Sequence, residues 1–302
     1  MTNIRCEFVR LPHCPVCSNE TRKLLFPIQE SAVYECARCG LKYLDPCLSP
    51  EAMARAYESA ESLSGFHDFH EGYYDYGDLA IKSKTLDDYV RGLDLLERCL
   101  VPGLGQRSIL DVGFGNGFFL AVAKKNGWQV QGIDTSAKNV QLAGHKFGLE
   151  LACGTLENWN PGSGRYHAIS FWDVIEHFPD PHPALQKARE LLIPGGLILV
   201  GIPDDRSLIA FLGRWLYRLS FGQFKKGVRS FYFLEHVAYY RLRSLEALFK
   251  INGFELAGHF YTSTDLARYK LPRQDKLIAS ILLGAGCFLG FENRLVAAFQ
   301  KK

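Results

Sequence analysis

The stretch Asp111-Val112-Gly113-Phe114-Gly115-Asn116-Gly117 constrains this chain more than any other. It lies between a short apolar run (Ile109, Leu110) and an apolar helical stretch from Phe118 to Ala123. Glycines at a strand-to-helix turn let the backbone come close to a ligand. The N–H groups at the new helix's N-terminus favour an anionic group such as a carboxylate or a phosphate. The turn therefore marks a site for a nucleotide-like cofactor.

Spacing narrows the choice of cofactor. A dinucleotide fingerprint reads G-x-G-x-x-G, whereas this turn reads D-x-G-x-G-x-G, with an acid two residues before the first glycine. That acid repels a pyrophosphate. It suits S-adenosylmethionine, whose amino-acid end carries an ammonium beside its carboxylate and whose sulfonium is cationic. The segment Trp128-Gln129-Val130-Gln131-Gly132-Ile133-Asp134 reads as a second strand ending in an acid, seventeen residues past Gly117. Asp134 stands where such folds place their ribose-hydroxyl acceptor.

With Trp172-Asp173-Val174-Ile175-Glu176-His177-Phe178-Pro179-Asp180-Pro181, residues 107 to about 202 resemble a class I S-adenosylmethionine-dependent methyltransferase of the D-V-I-E-H-x-x-D-P type. Ile193-Pro194-Gly195-Gly196 is similar to that family's L-x-P-G-G turn, and Glu235-His236-Val237-Ala238-Tyr239-Tyr240 to its E-H-x-x-Y-F segment, so the resemblance covers nearly the whole chain. It implies an α/β fold, a doubly wound Rossmann-like methyltransferase sheet. The implied cofactor contacts are Asp111, Gly113, Phe114, Gly115, Gly117, Asp134, Thr135, Thr155, Leu156 and Asp173. Related enzymes often place an acid at the end of the third strand, but here Gly154 is followed by Thr155-Leu156-Glu157. Leu156 against the adenine ring and a backbone contact at Thr155 are expected instead, with Glu157 solvated.

The expected catalytic group is His236, Glu235 and His177. The electrophile arrives on the cofactor, so alignment supplies much of the rate, while a hydroxyl or carbon acceptor must still lose a proton. Two sharper resemblances stay open. In ubiquinone-pathway O-methyltransferases and small-RNA 2′-O-methyltransferases an E-x-x-E-H element holds a divalent metal. Asp173, Glu176 and His177 match it with one conservative change, which would make a Mg2+ site, with His236 as a fourth ligand. In zinc-containing sugar C-methyltransferases a Y-x-E-H segment supplies the base, but Phe233 stands where the tyrosine belongs. The plain structural alternative has Asp173 and Glu176 capping the following helix and His177 walling the cofactor pocket.

A second constellation is independent of the first. Cys14-Pro15-Val16-Cys17 and Cys36-Ala37-Arg38-Cys39-Gly40 are separated by eighteen residues. Each C-x-x-C makes a tight knuckle presenting two thiolates, and the separation lies within the roughly 15–20 residues of tetrahedral zinc sites. A segment this short cannot fold on apolar burial alone, so structural Zn2+ would supply its stability. Redox or disulfide readings of the four thiols fit a reducing compartment poorly.

From these anchors, residues 1–48 are expected to form a zinc-ribbon-like module preceding the methyltransferase sheet. Residues 49–103 form a helical linker and lid, and residues 104–302 the methyltransferase domain with an insertion at about 204–235. A helix cap is expected at Ser49-Pro50-Glu51, an aromatic and acidic lid at Phe66–Asp78, and a helix carrying Leu86, Tyr89, Leu93, Leu96 and Leu100. Strands are expected near 107–112, 128–133, 149–153, 166–173, 196–202, 254–262 and 293–299, with a helix from Arg241 to Asn252. Such alternation argues for a parallel sheet with the cofactor at the strands' carboxyl ends.

With 47% apolar residues the chain can bury a substantial core, and a net charge of +3 does not demand nucleic acid. Met1–Arg10 holds no apolar signal region, and no run is long enough to span a bilayer, so a cytoplasmic or membrane-peripheral protein is expected. In the insertion, Arg206, Arg214, Arg218, Lys225, Lys226 and Arg229 alternate with Phe211, Trp215, Leu216, Tyr217, Phe221 and Phe224. This is an aromatic and basic lid for a phosphate-bearing or lipid-linked acceptor, or simply a helical cover with a solvated basic face. By resemblance, the expected acceptor is a small molecule, a sugar or glycan, with O-methylation favoured. Sugar C-methylation, RNA methylation and a non-catalytic cofactor-binding scaffold are the alternatives. Oligomeric state is not readable.

Overall fold

The computed structural model describes residues 7–53, 83–101, 105–162, 165–229, 231–266 and 272–302. Five strands open the chain: β1 (Phe8–Val9), β2 (Arg22–Ile28), β3 (Ser31–Cys36), β4 (Lys42–Asp45) and β5 (Cys47–Leu48). Ser49 then caps a helix whose first turn is described, accepting from the N–H of Ala52 (3.1 Å). The expected lid at Phe66–Asp78 lies outside the described residues.

The central sheet takes β6 (Ser108–Val112), β7 (Gln129–Asp134), β8 (Leu151–Cys153), β9 (Tyr166–Trp172), β10 (Leu192–Pro203), β12 (Phe254–Thr262) and β13 (Arg294–Lys301), with the short β11 (Ala238–Tyr239) elsewhere. Its order is β12-β13-β10-β9-β6-β7-β8, parallel throughout except that β13 runs antiparallel to both neighbours. The expected strands are found within a few residues of their expected ends.

Period-two alternation sorts these strands' side chains onto two buried faces. Ile109, Leu197, Leu199, Val296 and Ala298 meet α1 (Lys84–Cys99) and α2 (Phe118–Lys125) through Leu93, Leu96, Phe119 and Val122. Leu110, Ile198, Val200, Ala297 and Phe299 meet α4 (His182–Leu191) and α7 (Leu242–Ile251) through Leu185, Ala188, Leu245 and Phe249. Both faces are covered, as the near-continuous apolar runs require. Helix α3 (Ala137–Phe147) is capped by Ser136 and stopped by left-handed Gly148. The chain turns back beside β6 after β8, so the edge between β6 and β9 is the topological switch point where such sheets bind ligands.

The remaining helices are α5 (Leu208–Leu219), α6 (Lys226–Arg229) and α8 (Arg273–Leu289). Helix α8 was not anticipated from the sequence. Only Leu283 and Gly286 of it are buried, so it carries no core stripe for a helical reading to find.

Strands β2, β3 and β4 form an antiparallel sheet whose fourth member is β11, taken from the Glu235–Tyr240 segment. Tyr43 pairs with Ala238 and Lys42 with Tyr239, and the N–H of Leu44 donates to the Val237 carbonyl at 2.9 Å. Cys14, Cys36, Cys39, Leu41 and Tyr43 share a core with Tyr240, Leu245 and the central sheet. Buried Asp205, just past β10, ties the pieces together. It pairs with Lys42, with Arg214 of α5 (2.8 Å) and with Arg241 at the start of α7 (2.9 Å), and it accepts from the hydroxyl of Tyr232. Removing one member of such a buried ionic network typically costs about 3–5 kcal/mol, because the others are left uncompensated.

Candidate active site

Gly113, Gly115 and Gly117 all have left-handed φ, of 67°, 55° and 75°. At Gly113 space matters as well, because a Cβ there would lie 2.6 Å from Cγ2 of Val174. The first glycine thus lets the turn close against the D-V-I-E-H segment in addition to admitting a ligand. Gly117 sits at the N-cap of α2 against Ala143 and is not part of the cavity lining, so its role is to shape the turn.

Asp111 is buried, and its Oδ1 accepts from the Ser170 hydroxyl at 2.7 Å. Burial pushes this carboxyl up to about 8, with the Ser170 hydrogen bond opposing and the nearby Asp134 charge adding to the shift. Asp134 ends β7, and its carboxylate accepts from the N–H groups of Gly115 and Ser136, both at 2.8 Å. It ties the glycine turn to the next loop, and burial raises it too, against those hydrogen bonds.

A cavity of about 1150 Å³ opens at the carboxyl ends of the strands. Its wall includes Asp111, Gly113, Phe114, Gly115, Asp134, Thr135, Thr155, Leu156, Asp173, His177, Glu235 and His236, so expected residues from five separate sequence segments meet at one site. Trp172 belongs to it as well, its ring lying over β10 where a Cβ on Gly201 would stand 2.2 Å away.

On the side facing the glycine turn, the Nδ1 of His177 lies 2.6 Å from the backbone oxygen of Glu235. A carbonyl only accepts, so Nδ1 carries the proton and Nε2 is the basic nitrogen. The His236 ring meets His177 edge to face at 4.8 Å and Phe233 at 4.7 Å. Glu176 and Glu235 are buried with carboxylate oxygens that lack a hydrogen-bond partner among the described residues. Burial and then the Asp173 charge push Glu176 well above the carboxylate range, and burial raises Glu235.

The expected grouping of Asp173 with Glu176 and His177 is replaced by another. Asp173, at a left-handed φ of 55°, forms an ion pair with Arg294 at 2.7 Å. The side chains with ligand atoms within 4.8 Å of one another are Glu176, His177 and His236. Sequence reasoning missed Arg294, which comes from the far strand β13, and Ser170, which sits one strand over from its acid. The same wall takes in the apolar Ile209, Leu212, Leu216, Phe224, Phe231, Ile278 and Leu282, with Thr264, Asp275 and Asn293 among its polar members.

In the N-terminal sheet the four sulfurs of Cys14, Cys17, Cys36 and Cys39 lie within 4.8 Å of one another, with Cys14–Cys39 at 3.5 Å and Cys17–Cys36 at 3.6 Å. Both knuckles bend through positive φ, at Ser18 and Gly40. The hydrogen bond with Cys39 holds the Cys14 thiol down to about 5.

A sheet reversing beside its first strand, with a glycine turn and two acids under one cavity, defines a Rossmann-like fold of the methyltransferase kind. A family model described as a methyltransferase domain matches residues 85–259, more than half of the chain. The chain belongs to that family. It is 34% identical over 113 residues to the ubiquinone biosynthesis O-methyltransferase of Alkalilimnicola ehrlichii, covering 35% of this chain and 45% of that one. It is 31% identical over 120 residues to the enzyme of the same name from Cupriavidus pinatubonensis, covering 37% and 47%. The chain thus spans less than half the length of these curated relatives. The magnesium protoporphyrin IX methyltransferase of Synechocystis PCC 6803 shares the fold at 15% identity, with a TM-score of 0.53 over 83% of this chain and 99% of that one.

These relatives correct the expectation of a sugar or glycan acceptor, since they are named for O-methylation in ubiquinone biosynthesis.

Proposed function

We propose that the protein transfers the cofactor's methyl group to a hydroxyl of a small molecule with an apolar body. The observation that carries this reading is that the glycine turn, the His177–His236 pair and the aliphatic wall border one cavity. The names of the curated relatives favour oxygen as the acceptor atom.

S-adenosylmethionine, when bound, supplies an activated methyl carbon. Asp134 would accept the ribose hydroxyls, Asp111 would face the ammonium, and the N-terminus of α2 would receive the carboxylate. Thr135, Thr155 and Leu156 border the adenine end. His236 takes the acceptor's proton, its ring held edge to face between His177 and Phe233. A second reading rests on Glu176, His177 and His236, whose ligand atoms are close enough to share a divalent ion such as Mg2+.

The four thiols fit zinc. A Zn–S bond of about 2.3 Å implies tetrahedral edges of about 3.8 Å, close to the sulfur spacings here. Cys14, Cys17, Cys36 and Cys39 would hold it as a closed structural site.

Single-turnover kinetics with a catechol or other phenol probe test the chemistry. His236→Ala is expected to slow methyl transfer by about 10²–10⁴ while cofactor affinity barely changes, and EDTA is expected to leave the wild-type rate intact. Full activity in the alanine variant would overturn base catalysis. Loss of activity in EDTA with recovery in Mg2+ would favour the second reading.

A further inference from the structure

We infer that the outer apolar face of helices α5 and α8 docks on an anionic lipid bilayer. The inference does not depend on the acceptor's identity, and its test reads binding rather than turnover.

The two helices pack against each other, and a Cβ on Gly286 of α8 would stand 3.6 Å from the Cβ of Leu208 in α5. Their outward stripes are large and apolar. In α5, Phe211, Trp215 and Leu219 recur every fourth residue and are exposed. In α8, Leu277 and Ile281 do the same, and Phe288 is 90% exposed. Just past α5, Phe221 is 95% exposed at a left-handed φ of 50°. Residues at this spacing share one face of a helix, so each helix turns a continuous hydrocarbon strip to the outside. Scattered apolar residues need no explanation, but two adjacent strips do.

Charge selects the occupant. Residues 206–234 contain six Arg or Lys and no Asp or Glu. Arg206 and Arg214 are spent on Asp204 and Asp205. Arg218, Lys225 and Arg229 stay exposed beside the apolar strip, and Arg273 and Lys276 are exposed at the start of α8. Aromatic and aliphatic groups with basic residues along their border are the composition of interfacial helices on anionic membranes. A second copy of this chain would bring the same basic residues against themselves.

The face is also continuous with the active-site cavity. Leu216 and Ile278 are both exposed on it and both line the cavity. A docked molecule would therefore present its aliphatic channel to the hydrocarbon boundary, a route for an acceptor carrying an apolar tail. No helix among the described residues is long and apolar enough to cross a membrane, so docking would be peripheral.

Flotation of the full chain with vesicles tests this. Vesicles containing phosphatidylglycerol are expected to retain the protein, vesicles of phosphatidylcholine alone to retain it at least about tenfold less, and added KCl to weaken retention. Phe221→Ser with Phe288→Ser, and separately Arg218→Glu with Arg273→Glu, should each cut retention at least about tenfold at unchanged melting temperature and cofactor affinity. As a measure free of folding effects, brominated lipid should quench the wild type more than Trp215→Phe. No retention on anionic vesicles overturns the proposal, as does retention that neither pair alters. A concentration-dependent dimer that the serine pair dissociates, without vesicle binding, assigns the face to a second copy and overturns it too.

Discussion

At the scale of single residues, Asp111 is held in conflict with its surroundings. Its ordinary value of 3.8 is pushed up to about 8 by burial, so near neutral pH the ligand-free protein keeps a proton there. The sign follows directly. Between those two values the folded chain binds a proton that the unfolded chain has released, so stability of the ligand-free protein falls as pH rises through the window and levels off above it. A cationic ligand favours the ionised form, and binding then releases the proton. Cofactor affinity is therefore expected to rise about tenfold per unit from pH 6 to about 7.5, beyond which the cofactor's own amine titrates. Calorimetry across that range checks it. Asp111→Asn should flatten the slope, and an unchanged slope in that variant would remove Asp111 from the cation contact. The acid itself was legible two residues before the first glycine. Ser170, which donates to it, was not, since no local spacing links residues on neighbouring strands.

At the scale of elements, the pairing of β4 with β11 matters most. Read along the chain, the two cysteine knuckles look like an appendage about two hundred residues from Glu235-His236. In space the knuckle sheet carries the strand that begins two residues after His236. Strand pairing across such a separation leaves no periodicity in either segment, which is why this contact could not be read from the sequence. The strands of the central sheet could be, because each carries its own apolar run between turn residues. Arg294 and α8 lay between these cases. An arginine opening a strand has no pattern to mark its partner Asp173, and α8 buries too little to be amphipathic. The proposed zinc site then gains a consequence at a distance. Cys39→Ser should release the metal, raise amide exchange across residues 7–48 and also across 235–240, and lower turnover without weakening cofactor binding. Hydrogen-exchange mass spectrometry reads all of these segments. Exchange confined to residues 7–48 would show that the knuckles brace nothing beyond themselves.

At the scale of the whole molecule, the parts divide the work by position. The sheet's reversal beside β6 makes the cofactor crevice, the Glu235–Tyr240 segment brings His236 to it beside His177, and α5 and α8 add hydrocarbon to its wall. This division rests on one central claim, that S-adenosylmethionine occupies the crevice above Gly113 and Gly115 with Asp134 on its ribose. Titration calorimetry of the full chain with S-adenosylmethionine tests that claim most directly, paired with Asp134→Asn, which retains an oxygen for one of the two backbone contacts. The account predicts one cofactor per chain and affinity about ten- to a hundredfold weaker in the variant at a similar melting temperature, as expected for hydrogen bonds to a charged group. Absence of binding in the wild type, or equal affinity in a folded variant, would contradict it.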